Sequence, residues 1–427
     1  MKKVLSMALI LTFIISSSLI ISCSNNDTWQ KGDIQNHPKN NLISMRKVQN
    51  ERADNIKYGK DIYGIVDLKA TKVDSQYLNR LSLSDLNDFM NFDDSTEWPK
   101  YLPKGFDPQK LMEEGKEKKL NLQKVHDKGY NGSGVGMAMI DQTLLVDHVE
   151  IKDNLKFYKA FSKEKEVASM HGVEMASIAV GKNVGVAPNA DLYFVAEDCY
   201  DYKTKEQDFT HAAEDILNII ELNKTLDNKI RVISFSSGYS SKYTEDGKII
   251  KGSVELEEAI RKAEENNIEV LCLIPGNNIN KFQSLTRTSY GDVNDFNIYK
   301  PYFYTNAPDD TLYVPTDKKT YASFLGEDKY AYDSWGGMSS IVPYVAGLYA
   351  LACQADNSIT FEKFLEVADK TAYKVKKRGK AYKLEPMNPY ERRIIHSQLQ
   401  DRDDVYTYSE GEEPYRRVVV DLRKESK

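Results

Sequence analysis

A run of small residues at 336–347, GGMSSIVPYVAG, sets two adjacent serines, Ser339 and Ser340, just before an apolar, proline-bearing stretch that reads as a helix start. A serine hydroxyl attacks a carbonyl only when a base takes its proton, so chemistry here requires a histidine and a carboxylate to orient it. His171 opens a small-residue helical run, HGVEMASIAVG. Asp141 directly follows the strand-like run VGMAMI, and Asn277 follows Gly276 after the strand-like run IEVLCLI. Taken singly, each has an ordinary explanation. An aspartate after a strand caps a turn or helix, an asparagine after glycine completes a turn, and small serines let helices pack closely.

The elements that must position these residues are legible from Leu120 onward. The strand-like runs VGMAMI, DLYFVA, IRVISFS and IEVLCLI alternate with the helix-like runs FTHAAEDILNIIELN and VELEEAIRKAEEN. Strands apolar on both faces, alternating with helices, predict an α/β fold: a doubly wound, mostly parallel sheet with helices on both faces. In that architecture ligands meet the chain at the carboxyl ends of strands, where Asp141 and Asn277 stand. The 427 residues and 41% apolar content are enough for one large core or two smaller ones. A net charge of -6 argues against nucleic-acid binding by the whole chain while leaving room for local basic patches.

With these neighbours on the page, residues from about 118 to 361 resemble the subtilisin-like serine proteases. GYNGSGVGMAMID is similar to that family's approach to its strand-ending D-T-G, which the chain writes as DQT. HGVEMASIAVG is similar to H-G-T-H-V-A-G, with Glu174 in place of the second histidine, and GVAPNADLYFV closely matches a further family segment. PYVAG aligned on P-H-V-A-G fixes the register and selects Ser339, with Met338 before it and Ser340 after it. The resemblance implies an endopeptidase in which Ser339 attacks, His171 is the base and Asp141 orients the imidazole. It further implies that the Asn277 amide and the Ser339 N–H bind the oxyanion, while Ser236, Ser237 and Gly238 of SFSSG offer a strand edge to an extended peptide substrate. The altered neighbours leave a catalytically inactive peptide binder as the alternative reading.

The two ends carry different signals. Residues 1–22 plus Cys23, in MKKVLSMALILTFIISSSLIISC, resemble a bacterial lipoprotein signal peptide cut before a lipidated cysteine, which implies a membrane-anchored protein outside the cytoplasm. Residues 23–117 read as a polar, irregular or helical extension: a propeptide, a spacer or a lid. Cys199, Cys272 and Cys353 lack the spacing of a disulfide framework or a zinc site; no cofactor and no metal cluster is expected.

Residues 362–427 resemble the Arg-x-x-x-His domain of Jag-type RNA-binding proteins, an α+β unit, with Arg392 and His396 as the pattern residues. Their spacing puts both on one helix face, and the resemblance implies contact with a single-stranded nucleic-acid backbone. Arg416, Arg417 and the run KVKKRGKAYK add positive charge.

Overall fold

The computed structural model describes residues 29–34, 65–160, 167–201, 204–244, 246–287, 292–295, 298–301, 311–366, 382–384, 387, 389–400, 405–413 and 415–422. The leader, Cys23 and most of the run KVKKRGKAYK lie outside the described residues.

The polar N-terminal stretch holds β1 (Val66–Asp67), α1 (Ser75–Leu78), α2 (Leu83–Asp88), β2 (Met90–Asp93) and α3 (Pro108–Gly115). Local chemistry sets the helix starts. Asp74 caps α1, Ser82 and Asp85 form a reciprocal capping box on α2, and Asp107 caps α3 ahead of a proline at its first position. The sequence predicts an irregular or helical extension, and the structure adds the two strands. Each is too short to stand alone: β1 pairs with β2, and β2 pairs in turn with the rest of the chain. Leu68, Phe92, Phe106 and Leu111 close a small core with Tyr332, on which the Phe92 ring stacks at 4.9 Å.

After α4 (Leu122–His126), the central sheet is built from β3 (Gly136–Asp141), β4 (Leu155–Ala160), β5 (Asp191–Ala196), β8 (Ile230–Gly238) and β9 (Glu269–Leu273). Between β5 and β8 lies a two-stranded ribbon, β6 (Tyr200–Asp201) and β7 (Glu206–Gln207). The sheet order is β4-β5-β3-β8-β9 and every pairing is parallel. Alternation along β3 explains the two covered faces. Met137 and Met139 point into a core shared with α5 (Met170–Val180) and α8 (Met338–Ala355). Ala138 and Ile140 point into a second core, closed by α6 (Thr210–Thr225) and α7 (Ser253–Glu265). The fold is the doubly wound sheet that the alternating runs predict.

Beyond β9 the chain forms a small sheet of β10 (Phe282–Arg287), β11 (Tyr299–Pro301) and β12 (Leu312–Pro315). The antiparallel pair β13 (Lys319–Ala322) and β14 (Tyr330–Asp333) follows, and β2 adds to the free edge of β14. Cys199, Cys272 and Cys353 are buried thiols, and none forms a disulfide among the described residues.

At the C-terminus, β15 (Tyr382–Lys383), α9 (Pro389–Leu399), β16 (Val405–Glu410) and β17 (Arg417–Leu422) make a small α+β unit. Ile395 and Leu399 of α9 pack on Val405, Val418 and Val420. The unit is joined to the large one by polar contacts: Lys128 pairs with Glu413 at 2.8 Å, and the buried Arg393 donates to the Lys119 carbonyl.

Candidate active site

Asp141 is the last residue of β3 and is buried. Its Oδ1 lies 2.6 Å from Nδ1 of His171, which is the second residue of α5. Three local features bring them together. Ser169 caps α5 and also donates to the Gln142 side chain, tying the helix start to the residue after Asp141. The Ser169 N–H donates to the Thr143 carbonyl at 2.9 Å. Gly172 then allows close approach, since a Cβ there would lie 2.1 Å from the Gln142 carbonyl oxygen. The residues that depart from D-T-G therefore build the dock for the helix carrying His171.

Ser339 is the second residue of α8, two positions after its N-cap Gly337. Pro343, four residues on, has no N–H, so it leaves the Ser339 carbonyl without its helical donor. The Ser236 hydroxyl supplies that donor at 3.0 Å, which ties the start of α8 to the end of β8. On the other side, Gly336 sits against β12 and the turn after it: a Cβ at Gly336 would lie 2.2 Å from the Thr316 carbonyl oxygen. The opening N–H groups of α8 lack acceptors within the helix and carry the positive end of its dipole, a setting suited to a developing oxyanion. Among the described residues no partner lies within hydrogen-bond distance of the Ser339 hydroxyl. Such contacts are commonly long without substrate.

The electrostatics favour a charged imidazole. Burial alone would lower the His171 pKa, but the carboxylates of Asp141, Glu174 and Asp198 outweigh it and hold the pKa up to about 9. Glu174, one turn along α5, has its own pKa pushed up by burial and by the charge of Asp333, against the opposing pull of Lys69 and His171.

The remaining sequence candidates fall into two groups. Ser236 supports the Ser339 turn directly, while Ser237 continues β8 past the end of its pairing with β3. The Gly238 carbonyl accepts the Gln207 amide at 3.0 Å, and its α-carbon abuts the Leu273 carbonyl. Asn277 lies along the edge of β9. Its oxygen accepts the N–H groups of Cys272 and Ile279, and its amide donates to the Val270 carbonyl at 2.7 Å, leaving one amide hydrogen for other work.

Arg392 and His396 do share a face of α9, and both line a cavity between that helix and α4. Arg392 is buried and donates to the carbonyls of Met387 and Arg416 and to Glu413. Both His396 ring nitrogens sit on hydroxyls, of Thr407 at 2.6 Å and Ser409 at 2.8 Å, and burial beside Arg392 and Arg416 drives its pKa down to about 4. Among the described arginines of this unit, Arg416 is the exposed one.

Motif reasoning missed Lys69, Asn91 and Asp333, which meet behind the turn that leads to Ser339. Lys69 Nζ lies 2.6 Å from Asp333, and Asn91 Oδ1 accepts both the N–H and the hydroxyl of Ser334. Only pairing across some 240 residues of sequence brings them together, and no local signal marks it.

Comparison with known proteins gives two non-equivalent matches. A model of the subtilase family matches residues 132–387, and a model of the domain named for the Arg-x-x-x-His pattern matches residues 362–422. RNA-binding protein KhpB of Clostridium symbiosum is 52% identical over 61 residues, 14% of this chain and 28% of that protein. The protein of the same name from Lactiplantibacillus plantarum is 45% identical over 58 residues, 14% of this chain and 18% of that one. The chain thus spans less than a third of the length of these relatives. Among solved structures, a cold adapted subtilisin-like serine proteinase has a TM-score of 0.39 and 16% identity, covering 56% of this chain and 83% of the other. Prenylagaramide maturation protease PagA has a TM-score of 0.41 and 16% identity, covering 65% and 93%.

Proposed function

We propose, from the premise that this chain belongs to the subtilase family, that it is a serine endopeptidase acting through Asp141, His171 and Ser339. The observation that carries the reading is the 2.6 Å contact between Asp141 and the His171 Nδ1, made next to a buried carboxylate layer. With the proton held on Nδ1, Nε2 is left to accept the Ser339 proton as the hydroxyl attacks the scissile carbonyl. The imidazolium then protonates the leaving amine, and Asp141 stabilises that cation. The oxyanion would be received by the N–H groups at the start of α8 together with the uncommitted hydrogen of Asn277. Extended peptide is the substrate class, running along Ser236 and Ser237. A lipid on Cys23 would anchor the enzyme at the outer face of a membrane, as the leader-like N-terminus suggests.

The pH profile tests this reading. A general base must be neutral, so a His171 pKa near 9 predicts that kcat/KM for a peptide substrate climbs through an apparent midpoint near pH 9 and not near 6.5. Glu174→Gln removes one of the charges that raise it, so the midpoint falls. A midpoint below pH 7 that the substitution leaves unmoved would contradict the raised His171 pKa, and a rate that His171→Ala leaves unchanged would contradict its assignment as base.

A second reading, nucleic-acid binding by the C-terminal unit, is supported by the match to the Arg-x-x-x-His domain and by the RNA-binding relatives. A cavity of about 570 Å³ separates that unit from α4, lined by Lys124, Arg392, His396 and Arg416 among others. With Arg392 sealed by Glu413, the exposed charge for such a ligand is that of Lys124 and Arg416.

A further inference from the structure

The turn from Ser334 to Ser339 is held from outside the segment that the subtilase model matches. Asn91 in β2 accepts from the Ser334 N–H at 2.9 Å and from its hydroxyl at 3.0 Å. One strand position later, Phe92 pairs with Tyr332, and Asp94 accepts the Tyr330 N–H at 2.8 Å. Lys69 is buried and pairs with Asp333 at 2.6 Å while donating to the Tyr321 hydroxyl at 2.8 Å. Burial would strip its proton, but Asp333, Asp67 and Glu174 outweigh that and keep it charged. The N-terminal stretch therefore grips, at several points, the residues that lead to the nucleophile.

The junction behind that stretch is equally committed. Lys119 is buried, donates to the Asp317 and Lys318 carbonyls, and receives Arg393 on its own carbonyl. Lys118 reaches the Gly185 carbonyl at 2.5 Å. Thr320 in β13 donates to the Met112 carbonyl at 2.6 Å, so α3 is tied to the same sheet. Releasing residues 65–117 would strip the edge of β14 and leave Asp333 buried without its cation, which is costly.

We propose that residues 65–117 are a permanent part of the catalytic unit, in which Asn91 and Lys69 are positioning residues for the turn Ser334–Ser339. The proposal rests on the reading of Ser339 as nucleophile. It assigns the extension a role opposite to that of a removable propeptide.

The test compares the wild-type chain with Asn91→Ala, Lys69→Met and Lys69→Arg, by amide hydrogen exchange at residues 334–340 and by peptide hydrolysis. In folded Asn91→Ala the turn is expected to exchange at least about tenfold faster, since a bonded amide has lost its acceptor. Hydrolysis is expected to lose about 10- to 100-fold in kcat with KM within about twofold, the pattern of a displaced reacting group. Lys69→Arg, which keeps the charge, should recover most of the rate lost in Lys69→Met. Unchanged exchange at the turn in folded Asn91→Ala would overturn the proposal. So would recovery of a fully active form that begins after Lys119. Exchange that quickens as expected in a chain that hydrolyses nothing would refute the peptidase reading and leave the positioning role standing.

Discussion

Replacing Asp141 by asparagine is expected to leave the chain folded and to lower kcat by about four orders of magnitude. The substitution keeps the shape of a side chain that is buried at the end of β3 and also accepts the Gln142 N–H at 2.7 Å. What changes is the proton on the ring. Asparagine presents an N–H to His171 Nδ1, which drives the imidazole to carry its hydrogen on Nε2, where it can no longer accept from Ser339. The imidazolium formed during acylation also loses its counter-charge. The expected loss corresponds to about 5 kcal/mol of transition-state stabilisation. Steady-state hydrolysis per folded molecule checks it: kcat falls while KM stays near the wild type, and melting at neutral pH falls with the lost pairing to His171. A folded Asp141→Asn variant within tenfold of wild-type kcat would remove Asp141 from the machinery.

The second large effect is expected at Gly172, where no reacting atom is involved. A methyl group added there would lie 2.1 Å from the Gln142 carbonyl oxygen and 2.8 Å from that of Thr143, both backbone atoms that do not yield. Gly172→Ala must therefore push α5 away from the turn after β3, stretching the contact between His171 and Asp141. Overpacking of this kind costs about 1–3 kcal/mol, and a displacement near 1 Å costs about 100-fold in rate. The variant should melt several degrees lower and lose activity beyond what its folded fraction explains. Comparison of the rate per folded molecule with that of wild type makes the distinction. Wild-type melting and rate together would show that the close approach has no mechanical role.

The parts of this molecule that could be read before folding are those whose cause is local. Apolar runs wide enough for two covered faces gave away the central sheet, and the small-residue run from His171 gave away the start of α5. The apolar, proline-bearing run after Ser340 marked the start of α8. The rest depended on contacts distant in sequence. The strands β1 and β2 are two and four residues long in a polar stretch; β2 forms on the edge of β14, and β1 on β2. Spacing put Arg392 and His396 on one face of α9, but spacing does not say which face. It is the face that meets the hydroxyls of Thr407 and Ser409 and the carboxylate of Glu413. Gly238 was read as substrate edge because its neighbours in sequence suit that role, whereas its carbonyl is already taken by Gln207, 31 residues away.

The central claim is that Ser339, and not Ser340, is an activated nucleophile. It is tested most directly by treating the chain from Ser24 onward with a fluorophosphonate and locating the adduct by peptide mass spectrometry. Ser339→Ala and His171→Ala are treated alongside. The account predicts one adduct, on Ser339, absent from both variants, with a rate that rises with pH as His171 loses its proton. Absence of any adduct from a folded sample, or labelling of Ser339 that persists unchanged in His171→Ala, would contradict it.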